Sequence, residues 1–90
     1  MAADHSVSRR LDLTSLQLFV AVCESGSIGR AADKAYIAAS AVSKRLSDLE
    51  ALFHTPLLER HARGVSLTPA GENLLHHARA VLRRIDKMQD

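Results

Sequence analysis

Ninety residues suffice for one domain rather than two, and a chain this short buries only about 60–65% of its unfolded surface, so it is marginal without a partner subunit. The composition is 47% hydrophobic with two Phe, one Tyr and no Trp, which calls for an aliphatic, Ala-rich core and favours helices over a sheet sandwich. A net charge of +2 is too small to identify a partner by itself, and a single cysteine, Cys23, excludes an intramolecular disulfide and a Cys-based zinc site.

Residues 1–11 are polar and aperiodic and are expected to form a flexible N-terminal tail, in which Arg9 and Arg10 either brush a phosphate backbone or are simply solvated. "MAADHSVSRR" has no apolar stretch of signal-peptide length, and "LQLFVAVC" is too short to cross a bilayer. A soluble, cytoplasmic chain with no membrane contact is therefore expected. Asp12 is a good N-cap for a first helix, on which Leu13, Leu16, Phe19, Val20 and Cys23 form an apolar stripe. Gly26 in "ESGS" suits a left-handed stop. Ser27 then caps a short helix from Ile28 to about Lys34, whose Ala31 and Ala32 admit a close neighbour. A turn at residues 35–37 leads to a third helix, about Ala38 to Phe53. Its Val42, Leu46, Leu49 and Phe53 recur at helical spacing and predict the buried face; Ser40, Lys44 and Ser47 point nearly opposite, with Ser43 on the flank.

Two helices, a short turn and a longer helix make a helix-turn-helix pattern. The register then changes. Leu57 to Arg60 and Val65 to Leu67 each fit a short strand, joined by "HARG" with Gly64 at the turn, so a two-stranded wing follows. Thr68 caps and Pro69 opens a long last helix that reaches about Met88. On it Leu74, Ala78, Val81, Ile85 and Met88, reinforced by Leu75 and Leu82, form a heptad stripe. Part of this stripe packs on the first helix of the same chain; its length calls for a second copy, so it is the expected dimerisation surface. The fold class is thus mainly α: a winged helix-turn-helix of three helices plus a two-stranded wing over 12–68, followed by a linker and dimerisation helix over 69–90.

An α-helix enters the major groove of B-DNA when its leading side chains are small. Ala39, Ser40 and their neighbours meet that condition. Ser40 and Ser43 can donate to phosphates or base edges, Lys44 can reach a guanine or a phosphate, and Ala39 suits a thymine methyl. Helix N-termini, at the third helix and at Ser27–Arg30, favour phosphate. Arg63 beside Gly64 suits a minor groove, whereas Arg60 either contacts phosphate or pairs with Glu50 or Glu59. Catalytic, cofactor and metal readings are weak. His76 and His77 are adjacent rather than four apart, His54 and His61 lack fixed partners, and no phosphate-binding glycine loop or nucleophile setting is present. No catalytic residue, metal or cofactor is assigned.

"GSIGRAAD", "AVSKRLSDLE", "PLLER" and "LTPAG", in this order and spacing over Asp12 to Asp90, resemble the N-terminal winged helix-turn-helix domain of LysR-type transcriptional regulators. The resemblance implies a bacterial transcription factor that reads a partly palindromic operator in double-stranded DNA. It also implies a homodimer paired antiparallel through the linker helix. Ser43 and Lys44 fall on family positions that contact DNA, Arg63 on the wing arginine, and Ser27 and Arg30 on the phosphate-contacting start of the second helix. Full-length members carry a C-terminal effector-binding domain, so this chain is expected to be the excised or truncated DNA-binding part, with the effector ligand recognised elsewhere. Two departures stand out. Ala39 replaces a usual glutamine, forfeiting about 1–3 kcal/mol of discrimination at one adenine. His54 replaces a glycine and should strain a left-handed turn. The alternative from another class is a helical protein–protein adaptor whose Leu74–Met88 stripe binds a different partner.

Overall fold

Side-chain caps, more than propensity, decide where most of the helices begin. The computed structural model describes Val7 and residues 10–89. Asp12 accepts the Ser15 N–H at 2.7 Å and opens α1, Leu13–Ser25. Ser27 Oγ accepts the Arg30 N–H at 3.2 Å and opens α2, Ile28–Ala35. The third helix, α3, Ala39–Phe53, begins differently: Ala38 precedes it with no side-chain acceptor. Strands β1, Leu58–His61, and β2, Gly64–Leu67, pair antiparallel, Leu58 opposite Leu67 and His61 opposite Gly64. Thr68 Oγ1 accepts the Gly71 N–H at 3.0 Å, Pro69 takes the first position, and α4, Pro69–Asp86, follows, ending in a 3₁₀ turn at Lys87–Gln89.

Left-handed residues close the first three helices. Gly26 (φ 72°) does so without a Cβ to crowd, returning its N–H to the Val22 carbonyl at 2.8 Å. Tyr36 (φ 60°) and His54 (φ 57°) take the same region at a cost of about 1–2 kcal/mol each. The strain expected at His54 is therefore present, and Tyr36 adds a second instance the sequence reading did not anticipate. Hydrogen bonds offset both. Ile37 N–H reaches back to the Ala32 carbonyl at 3.1 Å, and Thr55 N–H to that of Glu50 at 3.2 Å.

The core forms where α1 is enclosed by α2, α3, β2 and α4. Enclosure on several sides explains why its buried set is Ser15, Leu16, Leu18, Phe19 and Val22 rather than the single expected stripe. Leu13, placed on that stripe, is exposed in the first turn, and Val20 and Cys23 lie at the edge. On α3 Leu52 is buried as well, outside the main core cluster, while Phe53 is half-buried and packs against that cluster. Leu57, expected to start the wing, is instead a buried residue just before it. Full burial of Phe19, Val22 and Val42 contributes about 1.5–3 kcal/mol per side chain.

The structure adds detail at both ends of the chain. Val7 and Arg10, inside the stretch read as a flexible tail, have helical backbone, and the Leu11 N–H donates to the Val7 carbonyl at 2.9 Å. Arg9 lies outside the described residues. The heptad stripe of α4 is divided. Leu74, Leu75 and Ala78 are buried in the chain's own core, the share of the stripe expected to pack on α1. Val81 and Met88 are exposed, Leu82 and Ile85 half-buried. The helix, 18 residues and about 27 Å long, simply outruns the body it packs on.

Candidate nucleic-acid interface

The side of α3 away from the core carries Ala39, Ser40, Lys44 and Ser47, all exposed, with Ser43 half-buried beside them. No side chain among the described residues caps its first turn. Ala38 offers only its carbonyl, to Ala41 N–H at 3.0 Å and Val42 N–H at 3.3 Å, so the leading N–H groups and the positive end of the helix dipole face outward. Ser27 and Arg30 lie together at the start of α2, where the Ser27 hydroxyl receives the Arg30 amide and the Arg30 side chain is exposed.

The wing is fixed at both edges. Glu50 Oε2 accepts the Leu57 N–H at 2.8 Å and the Leu58 N–H at 3.2 Å, tying the start of β1 to the end of α3. Val65 N–H donates to the Gly26 carbonyl at 3.1 Å, tying β2 to the α1–α2 turn. Gly64 (φ 133°) is needed there: a Cβ would collide with that same Gly26 carbonyl. Arg63 therefore sits at an anchored tip, exposed. Arg60, opposite Val65, is exposed too and pairs with no carboxylate among the described residues. The pairing with Glu50 or Glu59 left open from the sequence is not made, and Glu50 is engaged with the wing backbone instead. This role was illegible in the sequence, because it depends on the chain folding back over residues 50–58.

Cations on α3 divide by task. Arg45 turns toward α1, its Nη1 lying 3.2 Å from Asp12 Oδ2 and 3.2 Å from Ser15 Oγ. Hydrogen bonds from Ser15, then the nearby Arg45, hold the Asp12 carboxyl below the usual carboxylate range. Lys44 stays on the outer face and pairs with Asp48 one turn on, a partner legible from the i, i+4 spacing. Arg79 on α4 meets Glu24 of α1 at 3.3 Å. Cys23 is half-buried, and loss of hydration pushes its thiol up to about 11. His76 and His77 stack edge to face, and no group of three or more His, Cys, Asp or Glu among the described residues is placed to hold a metal ion. No described helix is long and apolar enough to cross a membrane.

Comparison with known proteins identifies relatives of this arrangement. The family model described as "Bacterial regulatory helix-turn-helix protein, lysR family" matches residues 13–72. The HTH-type transcriptional regulator GalR of Pseudomonas putida is 43% identical over 75 residues, 83% of this chain and 19% of its own length. The uncharacterized HTH-type transcriptional regulator YdcI of Escherichia coli is 43% identical over 79 residues, 88% of this chain and 26% of its own length. The chain thus spans about a quarter or less of these curated relatives. Among solved structures, the BenM DNA-binding domain in complex with catB site 1 DNA has a TM-score of 0.83 at 38% identity, covering 87% of this chain and 88% of that one. The CbnR DNA-binding domain–DNA complex has a TM-score of 0.84 at 32% identity, covering 89% and 92%.

Proposed function

Because the chain belongs to the lysR family of bacterial regulatory helix-turn-helix proteins, we propose that it is the sequence-specific DNA-binding domain of a LysR-type transcriptional regulator. The observation that carries this reading is the uncapped, small-residue N-terminus of α3, standing clear of the core beside an anchored wing. Residues 12–68 form the reading unit. In it α3 enters the major groove: Ser40 and Ser43 donate to base edges or phosphates, Ala39 meets a thymine methyl, and Lys44 reaches a guanine. Ser27 and Arg30 hold one phosphate strand, Arg60 another, and Arg63 enters the minor groove.

Residues 69–90 form the linker. The homodimer uses Val81, Leu82, Ile85 and Met88, the apolar residues of α4 that the chain's own core leaves open, and a partly palindromic operator follows from the two-fold axis. Effector recognition belongs to a C-terminal domain of the whole regulator, which works in the cytoplasm on chromosomal DNA and is not an enzyme. The adaptor alternative finds no support among relatives that are regulators by name.

Selection of bound duplexes from a random pool gives the half-site and its spacing together. Salt titration on the selected duplex then tests the residues: Lys44→Ala and Arg63→Ala should each flatten the log–log slope by about 0.9 if they contact phosphate, and Lys44→Ala should lose about 1–3 kcal/mol of discrimination if it reads a base. Unchanged affinity, slope and sequence preference in both variants would refute the assignment.

A further inference from the structure

Lys44 is already engaged in the free chain. Its Nζ lies 3.0 Å from Asp48 Oδ1 and 3.1 Å from Oδ2, with the two side chains 74% and 61% exposed. The neighbours of this pair are otherwise committed. Arg45, the other cation of α3, is turned to Asp12 and Ser15, and Glu50, its other carboxylate, to the Leu57 and Leu58 amides. The outer face of α3 therefore displays one positive and one negative charge, side by side, and no excess of either.

Building on the DNA-binding reading above, we infer that Asp48 is a positioning residue that holds Lys44 along the helix for a base edge and discourages its use on phosphate. A lysine paired with the residue one turn ahead lies along the helix axis, where its two hydrogen bonds to the Asp48 oxygens still leave at least one of its three N–H donors free. A guanine edge presents neutral acceptors and can share the ammonium with Asp48. A phosphate carries a full negative charge and would have to approach the carboxylate to take the same ammonium. The pair thus favours readout over sequence-indifferent adhesion, which is left to Arg30, Arg60 and Arg63.

The test measures binding of the 90-residue chain to a random-sequence duplex and to the duplex recovered by selection, each across a salt series. Asp48→Asn, which keeps shape and removes charge, frees Lys44 for one more phosphate. The slope on random duplex should steepen by about 0.9, an extra gain of about 3.5-fold in affinity between about 200 and about 50 mM salt. The ratio of selected to random affinity should fall. Asp48→Glu should retain the wild-type slope, and in a Lys44→Ala background Asp48→Asn should leave the slope unchanged; circular dichroism checks that each variant is folded. A wild-type chain that binds duplex, with Asp48→Asn matching it in slope and ratio, overturns this inference alone. A wild-type chain that binds no duplex overturns the DNA reading and this inference with it.

Discussion

Gly71, in the first turn of α4, should respond to alanine in the direction opposite to helix propensity. On an open helix surface, Gly→Ala stabilises by up to about 1 kcal/mol. Here a Cβ would drive into the Leu57 carbonyl oxygen and lie 3.0 Å from both the Leu57 carbonyl carbon and a Leu67 methyl. Backbone cannot step aside as a flexible side chain can, so overpacking should cost about 1–3 kcal/mol. Retreat of α4 would also weaken the Thr68 N–H bond to the Leu57 carbonyl, 3.1 Å, worth about 1 kcal/mol. After crediting propensity, Gly71→Ala should lose about 1–3 kcal/mol, lowering Tm by about 4–8 °C for each kcal/mol. Gly29 of α2 supplies the control, because its Cβ would meet only Ser27 Oγ at an ordinary 3.7 Å; Gly29→Ala should be neutral or gain up to about 1 kcal/mol. Urea denaturation followed by circular dichroism, at one protein concentration to hold any dimer equilibrium constant, reads both. If Gly71→Ala is as stable as the parent, the close approach of α4 to Leu57 is wrong.

His54→Gly should raise stability by about 0.5–1 kcal/mol, the relief of left-handed strain less the added freedom of the unfolded chain, measurable as a higher Tm. Asp12→Ala should lose about 1 kcal/mol with the α1 cap, seen in the urea midpoint. Since the folded pKa of Asp12 lies below its ordinary 3.8, its charge adds stability above that value and loses it as pH falls through the lowered one. Urea midpoints between about pH 5 and pH 2.5 should accordingly drop less in Asp12→Asn than in the parent. The Cys23 thiol, raised from 9.0 to about 11, should alkylate about 10-fold more slowly at pH 8 than in urea-unfolded chain, since the loss of thiolate outweighs its greater nucleophilicity; equal rates would mean that the site is open.

Local chemistry was readable from the sequence. Asp12, Ser27 and Thr68 cap their helices, Gly26 ends α1, and the wing turns at Gly64, because each of these roles is settled within a few residues. What required the fold were contacts between distant segments. Gly71 passes for an ordinary glycine in an opening turn until Leu57 is seen against it. The α4 stripe is continuous in sequence, yet its first part is spent inside the chain because α1 lies along Leu74, Leu75 and Ala78. The candidate site followed the same rule: its exposed α3 residues could be placed by periodicity, whereas the moorings that aim the wing could not.

Those moorings settle which side of the encounter must adapt. A ribbon held by Glu50 at one margin and by Gly26 at the other is restrained against independent swing, so the span from Arg63 to the tip of α3 resembles a calliper set near one opening. Under the proposed DNA-binding reading, a duplex whose grooves already match that span would be gripped without distortion, and any other would have to be deformed at its own expense. Preference among operators would thus include stiffness and groove width at base pairs that no side chain touches.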